Sequence, residues 1–126
     1  MRRRLLVPVA VSAAFLVASQ AASPGASRIR FRANLFAETH TPRAGAVWNY
    51  TIKVTNLKGD PIKVVAKQWV FHNGHRIDTV GWNQFRGTYR HSYRWPTVDR
   101  GKSLQFVVRV VGPGGARVLT YAVRVR

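Results

Sequence analysis

The chain has 126 residues, 21 Lys and Arg against 4 Asp and Glu, a net charge of +17 and no cysteine. Its length accommodates one domain. The missing cysteine excludes disulfides, thiolate metal sites, thiol nucleophiles and a lipid-modified N-terminal cysteine, while the charge predicts attraction to polyanions and bears on partners, not on fold.

Residues 1–21 have the three zones of a secretory signal peptide: Arg2, Arg3 and Arg4, an apolar run from Leu5 to Ala18 broken only by Ser12, and small residues around Ser19-Gln20-Ala21. The run is about 14 residues, short of the roughly 20 that span a bilayer as a helix, so cleavage after Ala21 is expected. An uncleaved anchor is the alternative. Cleavage removes three arginines and lowers the net charge from +17 to +14. Residues 22–27, with Pro24 and Gly25, read as a flexible lead-in. Residues 28–126 remain as the folded part, secreted or held in the cell envelope.

Beyond Arg28 the hydrophobic period is two. Arg28 to Ala37 is the first predicted strand, and Val47 to Thr55 alternates Trp48, Tyr50, Ile52 and Val54 against Asn49, Thr51, Lys53 and Thr55. Further strands are predicted over Ile62 to His72, His75 to Gly81, Phe85 to Trp95, Ser103 to Val111 and Arg117 to Arg126. Turn signals at hairpin spacing separate them: Leu57-Lys58-Gly59-Asp60-Pro61, Asn73-Gly74 and Gly112-Pro113-Gly114-Gly115. Asn73-Gly74 is the strongest, because a type I′ turn needs positive φ at both central residues. No stretch has the pattern of an amphipathic helix. Seven short strands predict an all-β, immunoglobulin-like, two-sheet antiparallel sandwich, with a small barrel as the rival.

The segments Trp48-Asn49-Tyr50-Thr51-Ile52-Lys53-Val54-Thr55, Gly59-Asp60-Pro61, Phe71-His72-Asn73-Gly74, Phe85-Arg86-Gly87-Thr88-Tyr89, Trp95-Pro96 and Leu119-Thr120-Tyr121-Ala122-Val123-Arg124-Val125 carry a resemblance. Together they resemble small secreted immunoglobulin-like domains of actinobacterial type, over nearly all of the chain beyond the leader. The resemblance implies export and a sandwich fold, and brings no catalytic residues with it. The inter-sheet cysteine pair of antibody domains, and the tyrosine before its second cysteine, are missing.

The residues supply little for catalysis. The four acids are Glu38, Asp60, Asp78 and Asp99; Asp60 and Asp99 stand beside turn residues, and Glu38 and Asp78 are isolated. No spacing pairs two carboxylates, and no Gly-flanked nucleophilic serine or phosphate-cradling glycine loop occurs. The chain is therefore expected not to be an enzyme and to need no cofactor.

Three sets of residues are candidates for binding. Arg86, Arg90 and Arg94 alternate with Phe85, Tyr89, His91, Tyr93 and Trp95, so one strand would present a row of guanidinium forks to a polyanion. The alternative is a solvated face that discourages edge aggregation. Trp69 and Phe71 share parity with Lys63 and Lys67, so either a bulge switches faces after Lys67 or an aromatic patch is exposed as a surface for sugars or another protein. His72 and His75 flank the Asn73-Gly74 turn and would face each other, a partial copper or zinc site needing further ligands, with His40 and His91 as the remaining imidazoles. Trp48 and Trp95 read as core.

The function expected from these features is an exported, non-catalytic binding or adhesion module. Its basic surface would meet an anionic cell-wall polymer, an acidic polysaccharide or a protein partner. The alternative is an extracytoplasmic copper- or zinc-binding protein. Nucleic acid suits the charge and aromatics, but export argues against it as a physiological partner.

Overall fold

A computed structural model describes residues 28–126. The leader with cleavage after Ala21 and the lead-in over residues 22–27, both expected from the sequence, lie outside the described residues. The strands are β1 (Phe31–Ala37), β2 (Val47–Asn56), β3 (Lys63–His72), β4 (His75–Arg86), β5 (Thr88–Arg94), β6 (Ser103–Gly112) and β7 (Gly115–Arg124), with a single 3-10 turn at Thr97–Asp99. They form two antiparallel sheets, β1-β2-β5 and β4-β3-β6-β7. No strand of one sheet is ladder-paired to a strand of the other, so the fold is a sandwich and not a barrel.

The period of two decides what lies between the sheets. Trp48, Tyr50, Ile52 and Val54 of β2 meet Leu104, Phe106, Val108 and Val110 of β6, all buried. The Trp48 ring stands edge-on to Trp95 at 5.3 Å and to Phe106 at 5.1 Å, and its Nε1–H donates to the Thr39 carbonyl at 2.8 Å. Burying each such side chain contributes about 1.5–3 kcal/mol. Gln68 is the exception among the inward residues of β3: it is fully buried, and its Nε2 donates to the Ala66 carbonyl at 3.3 Å.

Turn chemistry sets the topology. Asn73 and Gly74 have φ of 51° and 80°, the positive pair of a type I′ turn, which holds β4 beside β3. The Leu57-to-Pro61 segment does not close a hairpin, contrary to its spacing: it carries the chain from β2 in one sheet to β3 in the other. Asn56 organises this crossing, its Oδ1 accepting from the Lys58 and Asp60 backbone N–H groups at 2.9 Å each.

The segment predicted as one strand over Phe85 to Trp95 is two strands. Gly87, at φ 77°, ends β4, and β5 continues in the opposite sheet. The Gly87 carbonyl accepts from Val54 N–H at 2.7 Å and its own N–H donates to the Ile62 carbonyl at 3.0 Å, so this one residue bridges both sheets. The odd side chains keep facing inward across the break, which is why period alone did not reveal it.

On the opposite side the loop after β1 closes the sandwich. Arg124 N–H donates to the His40 carbonyl at 2.7 Å and Arg126 N–H to Pro42 at 2.9 Å, adding a short pairing along the edge of β7. His40 stacks flat on Tyr121, with centroids 4.0 Å apart.

Candidate binding face

The outward residues of the β4-β3-β6-β7 sheet form the most unusual surface of the molecule. Register places Trp82, Lys67, Arg109 and Val118 opposite one another in one row across the four strands. The next row is Thr79, Trp69, Val107 and Thr120, and the one after it Arg76, Phe71, Gln105 and Ala122. Directly paired Cβ atoms stand about 5 Å apart, so each row is a contiguous strip. Trp82 is 58% exposed and Val118 63% exposed, while Trp69 and Phe71 are half-buried. Lys63 and Arg86 extend the basic character along the β3-β4 pair.

Trp69 and Phe71 point outward because the irregularities expected in β3 fall on its partner. The pairing skips Val80 and Ile77 of β4, leaving β3 in continuous register with β6. The switch of faces after Lys67 does not occur. The two bulges sit on an edge strand, where they disfavour addition of another strand.

The outer face of the β1-β2-β5 sheet is different: Asn34, Thr51, Lys53, Thr88, Arg90 and Ser92 dominate it, with Phe36 and Val47 as its large exposed apolar residues. The predicted arginine row is therefore divided. Arg86 belongs to the aromatic face, whereas Arg90 and Arg94 belong to the opposite one, where Arg94 Nη1 donates to the Gly45 carbonyl at 2.7 Å.

The four acids are occupied individually. Glu38 accepts from Asn49 Nδ2 at 2.7 Å, Asp60 from Asn56 Nδ2 at 3.3 Å and Asp78 from the Tyr93 hydroxyl at 2.5 Å. Asp99 is buried and pairs with Lys102 at 3.3 Å, the one ion pair among the described residues. Among the described residues no acid is paired with an outward residue of this face; Asp78 of its edge strand stands opposite inward Val70. Burial pushes the Tyr50 and Tyr93 hydroxyls well above the ordinary tyrosine value, and the hydrogen bond to Asp78 raises Tyr93 further.

His72 and His75 are a directly opposed cross-strand pair. The other imidazoles are elsewhere: His40 binds the Ala122 carbonyl through Nδ1 at 2.6 Å, and His91 stacks on Tyr89 in the β1-β2-β5 sheet. Among the described residues no group of three or more His, Asp or Glu converges in metal-binding geometry.

At one end of the aromatic face an open groove of about 540 Å³ runs between the Asn73-Gly74 turn and the His40-Thr41 segment, with Phe71 and Arg124 in its lining. Trp82 and this groove escaped the sequence reading. Trp82 fell in the gap between two predicted strands, although its alternation with Gln84 and Arg86 continues β4 and would have placed it outward. The groove has no sequence signal, because its lining comes from segments far apart in the chain, His40 and Ala122 within one wall being separated by 82 residues.

No protein-family model matches the chain, and no curated protein matches it either. Among solved structures it is similar to the CARDB domain of a Pyrococcus furiosus protein in complex with di-metal ions, with a TM-score of 0.52 and 11% identity over 76% of this chain and 87% of that one. It is also similar to the sporulation control protein Spo0M from Bacillus subtilis, with a TM-score of 0.48 and 11% identity over 77% of this chain and 49% of that one. At 11% identity the likeness to the CARDB domain is one of fold alone, a β-sandwich domain.

Proposed function

We propose that the chain is an exported, non-catalytic binding or adhesion module that holds an anionic cell-envelope polymer on the outer face of its β4-β3-β6-β7 sheet. The observation that carries this reading is Trp82, 58% exposed and directly opposite Lys67, which in turn faces Arg109, on a face where no acid is paired with an outward residue among the described residues. A solvated sheet face does not need exposed tryptophan; a face that grips a polymer uses the ring for contact area and the cations for attraction. The sheet register sets both side by side across neighbouring strands. The individual engagement of each acid supports a binding role over acid-base catalysis.

Retention on native envelope preparations at graded salt tests the reading. Retention falls steeply as the screening length shrinks from about 10 Å at 0.1 M to about 3 Å at 1 M. Replacing Lys67 and Arg109 together by Gln flattens that dependence. Retention indifferent to salt, or to these replacements, counts against the polymer as the partner.

The second reading, a copper or zinc site, is supported by the opposed His72 and His75. Two imidazoles leave a zinc ion short of its usual four ligands. Calorimetric titration with either metal tests it, and no uptake by the wild type ends it.

A further inference from the structure

We infer that the groove beside Phe71 is the specificity subsite of the binding face and takes one pyranose ring bearing a carboxylate, such as a uronic acid residue of an acidic polysaccharide. The inference rests on the reading of the face given above and names its ligand class.

The groove joins the aromatic face at Phe71, the outward residue paired with Gln105. Its roughly 540 Å³ lies within the range of about 300–1,000 Å³ found for small-ligand sites. An aromatic ring on the lining suits the apolar C–H face of a sugar, and Asn73, Ser103 and Gln105 offer donors and acceptors for its hydroxyls. Arg124 supplies the charge. Its guanidinium has no ion-pair partner among the described residues, and its planar fork matches a carboxylate with two parallel N–H···O bonds.

The site is held in shape before any ligand arrives. His40 is fixed on three counts: its ring stacks on Tyr121 at 4.0 Å, its Nδ1 binds the Ala122 carbonyl at 2.6 Å, and its own carbonyl accepts from Arg124 N–H at 2.7 Å. The opposite wall is the type I′ turn at Asn73-Gly74. Two rigid walls anchored to β7 and to the β3-β4 hairpin reduce the ordering cost of binding. Phe71 lies along β3 from Lys67 with Trp69 between them, so a polymer running from the groove along the sheet reaches the Lys67 and Arg109 strip. An acidic sugar gains a charge-assisted contact with Arg124 that a neutral one lacks, so discrimination follows from one residue.

The test uses the domain without its leader, a galacturonic acid trisaccharide, the fully methyl-esterified trisaccharide and inorganic polyphosphate, with binding mapped by backbone amide shifts. The acidic trisaccharide shifts Phe71, Asn73, Ser103 and Arg124, and Arg124→Gln weakens it roughly tenfold or more, the value of a lost charge-assisted hydrogen bond. The methyl ester binds more weakly and does not respond to Arg124→Gln. Phe71→Leu keeps an apolar residue at this position and lowers affinity for both sugars if the ring is the platform.

Four outcomes overturn the assignment. Shifts confined to Trp82, Lys67 and Arg109 remove the groove while leaving the face as the binding surface. Wild-type affinity in Arg124→Gln removes the carboxylate contact, and tighter binding of polyphosphate in the groove replaces a sugar acid with a phosphate ligand. If none of the probes binds even at low salt, the reading of the face falls together with the groove.

Discussion

The Tyr93 hydroxyl donates a 2.5 Å hydrogen bond to Asp78, joining β5 of one sheet to β4 of the other along the side of the sandwich where Gly87 also connects them. This contact makes the stability of the fold depend on alkaline pH. Burial, then the bond to Asp78, raises Tyr93 above its ordinary value, and burial does the same for Tyr50. Both groups hold their protons more tightly folded than unfolded, where tyrosine titrates near about 10. Their contribution is complete below about pH 10 and is lost as pH rises above it. Tyr93→Phe costs about 1 kcal/mol at neutral pH and makes the alkaline decline shallower. Urea unfolding at several pH values measures both, and an unaltered alkaline slope in the variant would show that Tyr93 is not a titrating link.

Gly87→Ala tests the crossing between the sheets. A Cβ at this position, already at φ 77°, would come within 2.7 Å of the Pro61 Cβ. Backbone strain of this kind costs about 1–3 kcal/mol, to which the steric contact adds. The denaturation midpoint should fall clearly, while Gly59→Ala, with positive φ but nothing within 4 Å, should cost less. Equal losses at the two glycines contradict the account.

Trp48 and Trp82 should behave as opposites. Trp48 is 1% exposed at the centre of the aromatic cluster, and Trp48→Ala should destabilise by about 3–5 kcal/mol. Trp82→Ala, at 58% exposure, should alter stability by no more than about 0.5 kcal/mol while reducing envelope retention. Thermal unfolding and retention assays on both proteins separate the roles. A large loss of stability in Trp82→Ala would make it a structural residue and weaken the proposed face.

Gln68 is a cost inside the core. Its Oε1 has no hydrogen-bond partner among the described residues although the side chain is fully buried. Gln68→Met keeps much of the shape and removes the polar atoms, so stability should rise by about 1 kcal/mol. A fall in the urea midpoint would show that the amide has a partner in solution.

Part of this molecule is decided by local pattern. Alternation in β2, β6 and β7 placed Trp48, Tyr50 and Phe106 in the core, and Asn73-Gly74 specified its own turn, because side-chain period and positive φ are properties of neighbouring residues. Sheet membership was not decided this way: the odd residues of Phe85 to Trp95 face inward on both sides of Gly87, so a strand that changes sheets carries the same period as one that does not.

The binding face depended on that same tertiary choice. Arg86, Arg90 and Arg94 look alike in the chain, yet the crossing at Gly87 sends Arg86 to the aromatic surface and Arg90 and Arg94 to the opposite one. Trp69 stays outward only because the extra residues of the bulges went to β4. Residue types and alternation determined which side chains avoid water. Which exposed ones stand together was decided by strand order and register, since long-range pairing brings His40 to Ala122 and Lys67 to Arg109, and no local preference encodes those distances.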